Sequence, residues 1–162
     1  DPSSYTGADD IPYDSIDQDC DGLDSTVTIQ NGDWVLEVPT VVQDACDLSS
    51  FQDVSSFVPT TLTVGNSTVE SFDLVSSDGN NTCVRSNYAF TCDSTTFDEY
   101  VSDINITLNI ENTTIGTVTS ETTMDLNYSV NLLDCNGDGC ILLEFAGFQF
   151  PCLLELTSSA SR

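Results

Sequence analysis

The chain has 162 residues and carries 27 Asp and Glu against two arginines, Arg85 and Arg162, with no lysine and no histidine, for a formal net charge of −25. Such a surface repels nucleic-acid phosphates and anionic lipid heads, which excludes both as partners. Without His or Lys there is no ordinary catalytic triad and no Schiff base, so the chain is not expected to be an enzyme. The length suits one domain with a real core and is too short for two well-buried ones.

Residues 1–25 are polar, turn-rich and nearly without core-forming side chains, which predicts an extended acidic arm rather than a folded unit. Within it Asp17, Asp19 and Asp21 stand two apart and Gly22 follows, the D-x-D-x-D-G opening of a calcium loop. Hard cations take several oxygen ligands, and glycine at the sixth position allows the sharp bend that turns the next carbonyl inward. The Leu23 carbonyl and Asp14 or Asp24 are the expected additions. At the twelfth position, where an EF-hand has a bidentate Glu, stands Thr28, and no helix signal flanks the loop. The expectation is calcium as cofactor, without an EF-hand around it.

The wider stretch DPSSYTGADDIPYDSIDQDCDGLD resembles the second half of a MopE-type metal-binding repeat, an acidic module of large secreted and surface proteins of bacteria. Thr6-Gly7-Ala8-Asp9-Asp10 takes the middle place of the repeat and Asp14 to Gly22 its end, with Ser15 where glycine is usual. The resemblance covers about the first 25 residues. It implies calcium held by a string of aspartates, and a Cys20 that pairs with a cysteine of the acidic first half. That half would precede Asp1, so the expectation is that the chain continues a longer protein or that Cys20 reaches a neighbouring subunit. Copper chemistry is not carried over, because it needs soft or imidazole ligands and the chain has one Met and no His.

From Ser25 the pattern is that of strands. Val27 and Ile29 alternate with threonines, Asn31-Gly32 predicts a type I′ hairpin turn, and Trp34, Leu36 and Val38 line a returning strand that Pro39 ends. Residues 44–60 are less regular and suit one short helical turn. Leu62 and Val64 lead to a turn at Gly65-Asn66-Ser67, and Val69 to Val75 runs back. Asp78-Gly79 turns into a strand containing Cys83, and Phe90 to Cys92 returns. Ile104, Ile106, Leu108 and Ile110 alternate with polar residues, as do Met124, Leu126, Tyr128, Val130 and Leu132. Ile141–Phe148 and Cys152–Leu156 are apolar on both faces and predict two central strands. About nine short strands and no long helical pattern predict an antiparallel β-sandwich or barrel over residues 26–157, with a Ser-rich tail at 158–162.

Asp134, Asn136 and Asp138, followed by Gly139, form a second D-x-N-x-D-G with Glu144 nearby, although Asn-Gly and Asp-Gly are also the commonest tight-turn pairs. Seven cysteines in a small acidic chain predict an oxidising, extracellular or cell-surface setting. The expected bridges are Cys83 with Cys92 across a hairpin, Cys135 with Cys140 across the Asp-rich loop, and Cys46 with Cys152 over a long span. Cys20 is then unpaired or intermolecular. No signal peptide is seen, which suggests a mature form. The apolar run from Ile141 to Leu154 is broken by Glu144, Gln149 and Pro151, so membrane insertion is not expected. Sequons stand at Asn66, Asn80, Asn105, Asn112 and Asn127.

The function this predicts is an extracellular calcium-binding structural or adhesion module of a bacterial surface protein. It could be a subunit of a surface layer or filament, joining copies of itself by strand addition. The alternative is a small-molecule-binding barrel of lipocalin-like type with a cavity behind Trp34. For Trp34 itself, after Gly32, a place in a β core is the commoner role.

Overall fold

Period-two alternation dominates the chain from Trp34 onward, and it produces ten strands in the computed structural model, which describes residues 4–50, 53–76 and 79–162. They are β1 (Gly32–Leu36), β2 (Thr40–Asp44), β3 (Thr61–Gly65), β4 (Ser71–Ser76), β5 (Gly79–Ser86), β6 (Ala89–Cys92), β7 (Thr95–Val101), β8 (Ile106–Ser120), β9 (Thr123–Asn136) and β10 (Cys152–Ser161). One helix, α1 (Cys140–Phe145), and 3-10 turns at Leu48–Ser50 and Val54–Phe57 complete the regular structure of the described residues.

Hydrogen bonding runs β1-β3-β4-β5-β6-β8-β9-β10, and β10 returns to β1 with Val35 opposite Ser161 and Leu36 opposite Ala160. The fold is therefore an eight-stranded antiparallel barrel, a closed ring in which no strand keeps a free edge. β2 and β7 lie outside the ring. β2 pairs with the first half of β10 and β7 with the first half of β8, while the second halves of the same two strands pair with β1 and β6. The long strands β8, β9 and β10 thus run on past the ring into an open five-stranded sheet, β7-β8-β9-β10-β2.

The inward face follows from register. Cys152, Leu154, Leu156, Ser158 and Ala160 of β10 stand opposite Leu132, Val130, Tyr128, Leu126 and Met124 of β9. Trp34 is wholly buried, and its indole N–H donates to the Gln30 carbonyl at 3.1 Å. Phe72 and Phe90 meet edge to face with ring centroids 5.0 Å apart. Trp34 is therefore a core residue. Gly116 of β8 lies under Phe90, where an added Cβ would come within 2.2 Å of the Asp125 carbonyl oxygen and 2.5 Å of the Phe90 ring. The carbonyl belongs to the β8–β9 ladder and cannot swing away. Gly116→Ala is expected to destabilise the barrel by about 1–3 kcal/mol, the range for overpacking. A urea midpoint equal to that of the parent would show that the two strands can part there.

Several expectations need correction. The Asn31-Gly32 hairpin does not form: residues 26–30 hold no strand, and β1 pairs instead with β3 along Gly32–Val35 and with β10 at Val35 and Leu36. Ile29 is nonetheless buried in the core. The strand expected at Ile141–Phe148 is instead α1, ended by Gly147 at φ 101°. A run with only Glu144 to interrupt its apolar residues carries too little period to choose strand over helix. The tail expected at 158–162 is the last part of β10: its pairing with β1 closes the ring, and the Ser158 hydroxyl donates to the Glu37 carbonyl at 2.7 Å. β7 escaped the sequence reading, and β8 runs ten residues beyond Ile110. Residues 44–60 hold two 3-10 turns, the second capped by Asp53, whose carboxylate accepts the Ser55 N–H at 2.9 Å. Asp78 of the expected Asp78-Gly79 turn, and Phe51 and Gln52 of the irregular stretch, lie outside the described residues.

Three bridges join the fold: Cys46–Cys152, Cys83–Cys92 and Cys135–Cys140. Cys20 is exposed and unpaired.

Candidate metal centre

Residues 4–31 contain neither helix nor strand; the chain is a string of turns. Tyr13, Ser15 and Cys20 each sit at φ 63° and Gly22 at φ 95°, all in the left-handed region. Side chains of Asp stabilise such bends by accepting backbone N–H groups two or more residues on. Asp17 accepts from Asp21 at 3.1 Å and Gly22 at 2.9 Å, Asp19 from Asp21 at 3.0 Å, and Asp21 from Leu23 at 2.8 Å.

Gln18 sets the orientation. It is buried and works as a hub: its backbone N–H goes to Asp10, its carbonyl receives the Tyr5 N–H, its amide nitrogen donates to Asp14 at 2.6 Å, and its amide oxygen accepts from Ile11 at 3.0 Å. With Gln18 turned inward, its neighbours Asp17 and Asp19 face outward together with Asp21. One carboxylate oxygen from each of the three lies within 4.8 Å of the others, the one group of three or more acidic or cysteine ligands among the described residues.

Asp10 closes the loop from below. One of its oxygens takes the Gln18 N–H at 2.9 Å and the other the Ser25 N–H at 2.6 Å, so a single carboxylate ties the two ends of the aspartate stretch. The Gln18 N–H in particular, with those of Ser25, holds the Asp10 carboxyl below its usual value of 3.8 against a smaller opposing effect of burial. A depressed carboxyl adds stability above its unfolded value and loses it as pH falls, so this tie is released only in acid, as pH passes below the usual carboxyl value.

Of the other expected ligands, neither Asp14 nor Asp24 joins the cluster. Asp14 spends both oxygens on Ile16 and Gln18. Asp24 gives one oxygen to the Ser15 N–H at 2.9 Å, while its other oxygen is buried without a hydrogen-bond partner. A carboxylate oxygen in that state is costly unless a cation or donor reaches it.

The second sequence candidate lies at the end of β9. Asp134 and Asn136 end β9 and Asp138 follows in a turn, but Asp134, Asp138 and Glu144 form no ligand group. Its glycines answer to packing: a Cβ on Gly139 would lie 2.0 Å from the Ile104 carbonyl oxygen, and one on Gly137, at φ 126°, 2.4 Å from that of Asn105. The loop is small because another backbone crosses it.

Arg85, Tyr13 and Tyr88 join the arm to the barrel, and none was singled out from the sequence. Arg85 faces inward from β5 and is buried, donating to the Val27 carbonyl at 2.6 Å, the Asn87 carbonyl at 2.9 Å and the Tyr13 hydroxyl at 3.4 Å. Tyr13 packs edge to face on Tyr88, whose hydroxyl donates to the Pro12 carbonyl at 3.1 Å. Gln30 adds a backbone bond to Glu121, in the β8–β9 turn. The arm therefore crosses the end of the barrel at which the β5–β6 and β8–β9 turns lie. Parity held the signal for Arg85, since it shares a strand face with buried Cys83.

The sequons differ in access. Asn66, Asn80, Asn105 and Asn127 are exposed, whereas Asn112 faces inward with its side-chain oxygen buried and unpartnered. Three disulfides fit a non-cytoplasmic protein, and no helix of the described residues is long and apolar enough to cross a membrane. No family model matches the chain, and no curated protein and no solved structure matches it either.

Proposed function

We propose that the chain is an extracellular calcium-binding structural or adhesion module, a disulfide-stapled barrel carrying an acidic arm that a cation stiffens. The observation that carries this reading is the gathering of the Asp17, Asp19 and Asp21 carboxylates within 4.8 Å on an exposed loop. Three such charges repel one another unless a cation neutralises them, and an all-oxygen set of carboxylates suits a hard ion such as calcium. The buried, unpartnered oxygen of Asp24 in the same loop supports it. Calcium held there would order the turns between Asp10 and Ser25, and Tyr13 and Arg85 would pass that order to the barrel. Copies of the chain would join through the outer edges of β2 and β7, which no strand covers among the described residues.

The arm offers chymotrypsin Tyr5, Tyr13 and Leu23. Cleavage there is expected to slow several-fold in millimolar calcium relative to EDTA, as binding to the ordered arm requires. The double substitution Asp17→Asn with Asp19→Asn should remove the difference while leaving the unfolding of the barrel unchanged. Sedimentation of the same samples would show association in calcium only. Equal cleavage rates with and without calcium would remove the reading.

A further inference from the structure

We propose that the chamber under the segment from Cys140 to Cys152 is a binding site for a small apolar molecule, such as a single-ring aromatic or a short hydrocarbon chain. The chamber has a volume of about 230 Å³ and lies where β8 and β9 run past the ring. Ile106, Leu108 and Leu132 form its floor, and Leu143, Phe148 and Phe150 reach over it from the overlying segment.

Its chemistry selects the occupant. Every side chain that lines it is apolar. A peptide would bring backbone N–H and C=O groups with no side-chain partner there, and an ion or a water would be equally unsatisfied. A hydrocarbon needs only contact. Enclosed cavities of about 150 Å³ with such a lining already hold benzene, and this pocket, which opens to solvent, has room for one ring or a chain of about six carbons. Poorly filled apolar space normally collapses in part. Here collapse is opposed at both ends of the covering segment, because Cys140 is bridged to Cys135 and Cys152 to Cys46. Ala146, which is exposed and also lines the chamber, marks its mouth.

The outer face of α1 is a competing explanation for any apolar binding, since Ile141, Leu142 and Phe145 are 54%, 56% and 83% exposed. The test separates the two. Fluorobenzene is titrated into the full chain and followed by 19F NMR, with 1-hexanol as competitor. The expected result is a saturable one-site shift, reversed by hexanol and unaffected by EDTA, because the chamber and the acidic arm lie at opposite ends of the barrel. Val101→Phe and Ala146→Phe fill the chamber from different walls, and each should weaken binding at least tenfold. Leu142→Ser and Phe145→Ser should leave it within twofold. Each filled variant is scored only if it keeps cooperative unfolding and three bridges by mass, and two walls are used so that one misfolded protein does not decide. Absence of saturable binding to the parent chain, or binding that a folded filled variant retains, overturns the proposal.

Discussion

Replacing Cys46 and Cys152 together by alanine is expected to cost about 4–5 kcal/mol and to lower the melting temperature by about 10–15 °C. The bridge spans 106 residues, and closing a loop of that length removes far more freedom from the unfolded chain than closing the Cys135–Cys140 loop, whose cysteines are 5 apart. The bridge also holds the sheet where it leaves the ring. Cys46 follows β2, whose neighbour Ala45 donates to the Leu153 carbonyl at 2.9 Å, and Cys152 begins β10. Loss of Cys135–Cys140 should cost only about 2 kcal/mol by the same reasoning. Urea unfolding of the two double variants measures the ranking, and an equal loss from both would mean that loop length is not what the long bridge contributes.

The barrel was legible wherever one strand face is wet. In Met124 to Leu132 the alternation is unbroken, and the structure puts those five side chains on the inward face of β9. It was less legible where the inward positions are not apolar. β8 continues through Asn112, Thr114 and Gly116, all inward, and a polar or missing side chain gives periodicity nothing to count. β7 was missed for a related reason: Thr95–Val101 is exposed along almost its whole length, so burial never shaped its sequence. Ser158 and Ala160 looked like a tail because small residues suit a crowded barrel end as well as they suit a linker.

The Asn31-Gly32 turn failed for a different reason. Local turn chemistry favoured a hairpin there, but β1 is held on both sides by distant strands, and two ladders outweigh one turn. The cluster of Asp17, Asp19 and Asp21 is the reverse case. Its aspartate spacing is local and was readable, whereas the groups that orient it, Gln18 from within and Asp10 from eight residues before, have no sequence signature. Gly139 matched a cation motif in spacing and Gly137 a tight-turn pair, yet both lie against the crossing backbone of Ile104 and Asn105, and a crossing of that kind is invisible in one dimension.

Arg85→Ala is expected to destabilise the protein by about 2–4 kcal/mol and to free the arm. Arg85 is 7% exposed, and among the described residues all its hydrogen bonds go to neutral acceptors, the carbonyls of Val27 and Asn87 and the Tyr13 hydroxyl. Its Nε is buried without a partner. Two opposing effects are therefore at work. Burying the cation away from any carboxylate is costly, so an apolar side chain of similar length recovers part of the loss. Removing the donors takes from the Asn87 carbonyl its bond to Arg85 and leaves the Val27 carbonyl with the Tyr13 hydroxyl alone, which no apolar residue repairs. Arg85→Met separates them, because it removes the charge and keeps most of the volume: it should fall between Arg85→Ala and the parent chain. Tyr13→Phe keeps the Arg85 bond to the Val27 carbonyl but deletes a hydroxyl that accepts from Arg85 at 3.4 Å and from the Val27 N–H at 3.1 Å and donates to the Val27 carbonyl at 3.2 Å, and should cost about 1–2 kcal/mol. Chymotryptic cleavage of the arm should accelerate from Tyr13→Phe through Arg85→Met to Arg85→Ala, in step with urea midpoints. Accelerated cleavage at an unchanged midpoint would confine Arg85 to holding the arm, and an unchanged rate would mean that the arm is held by Tyr88 and Gln30 instead.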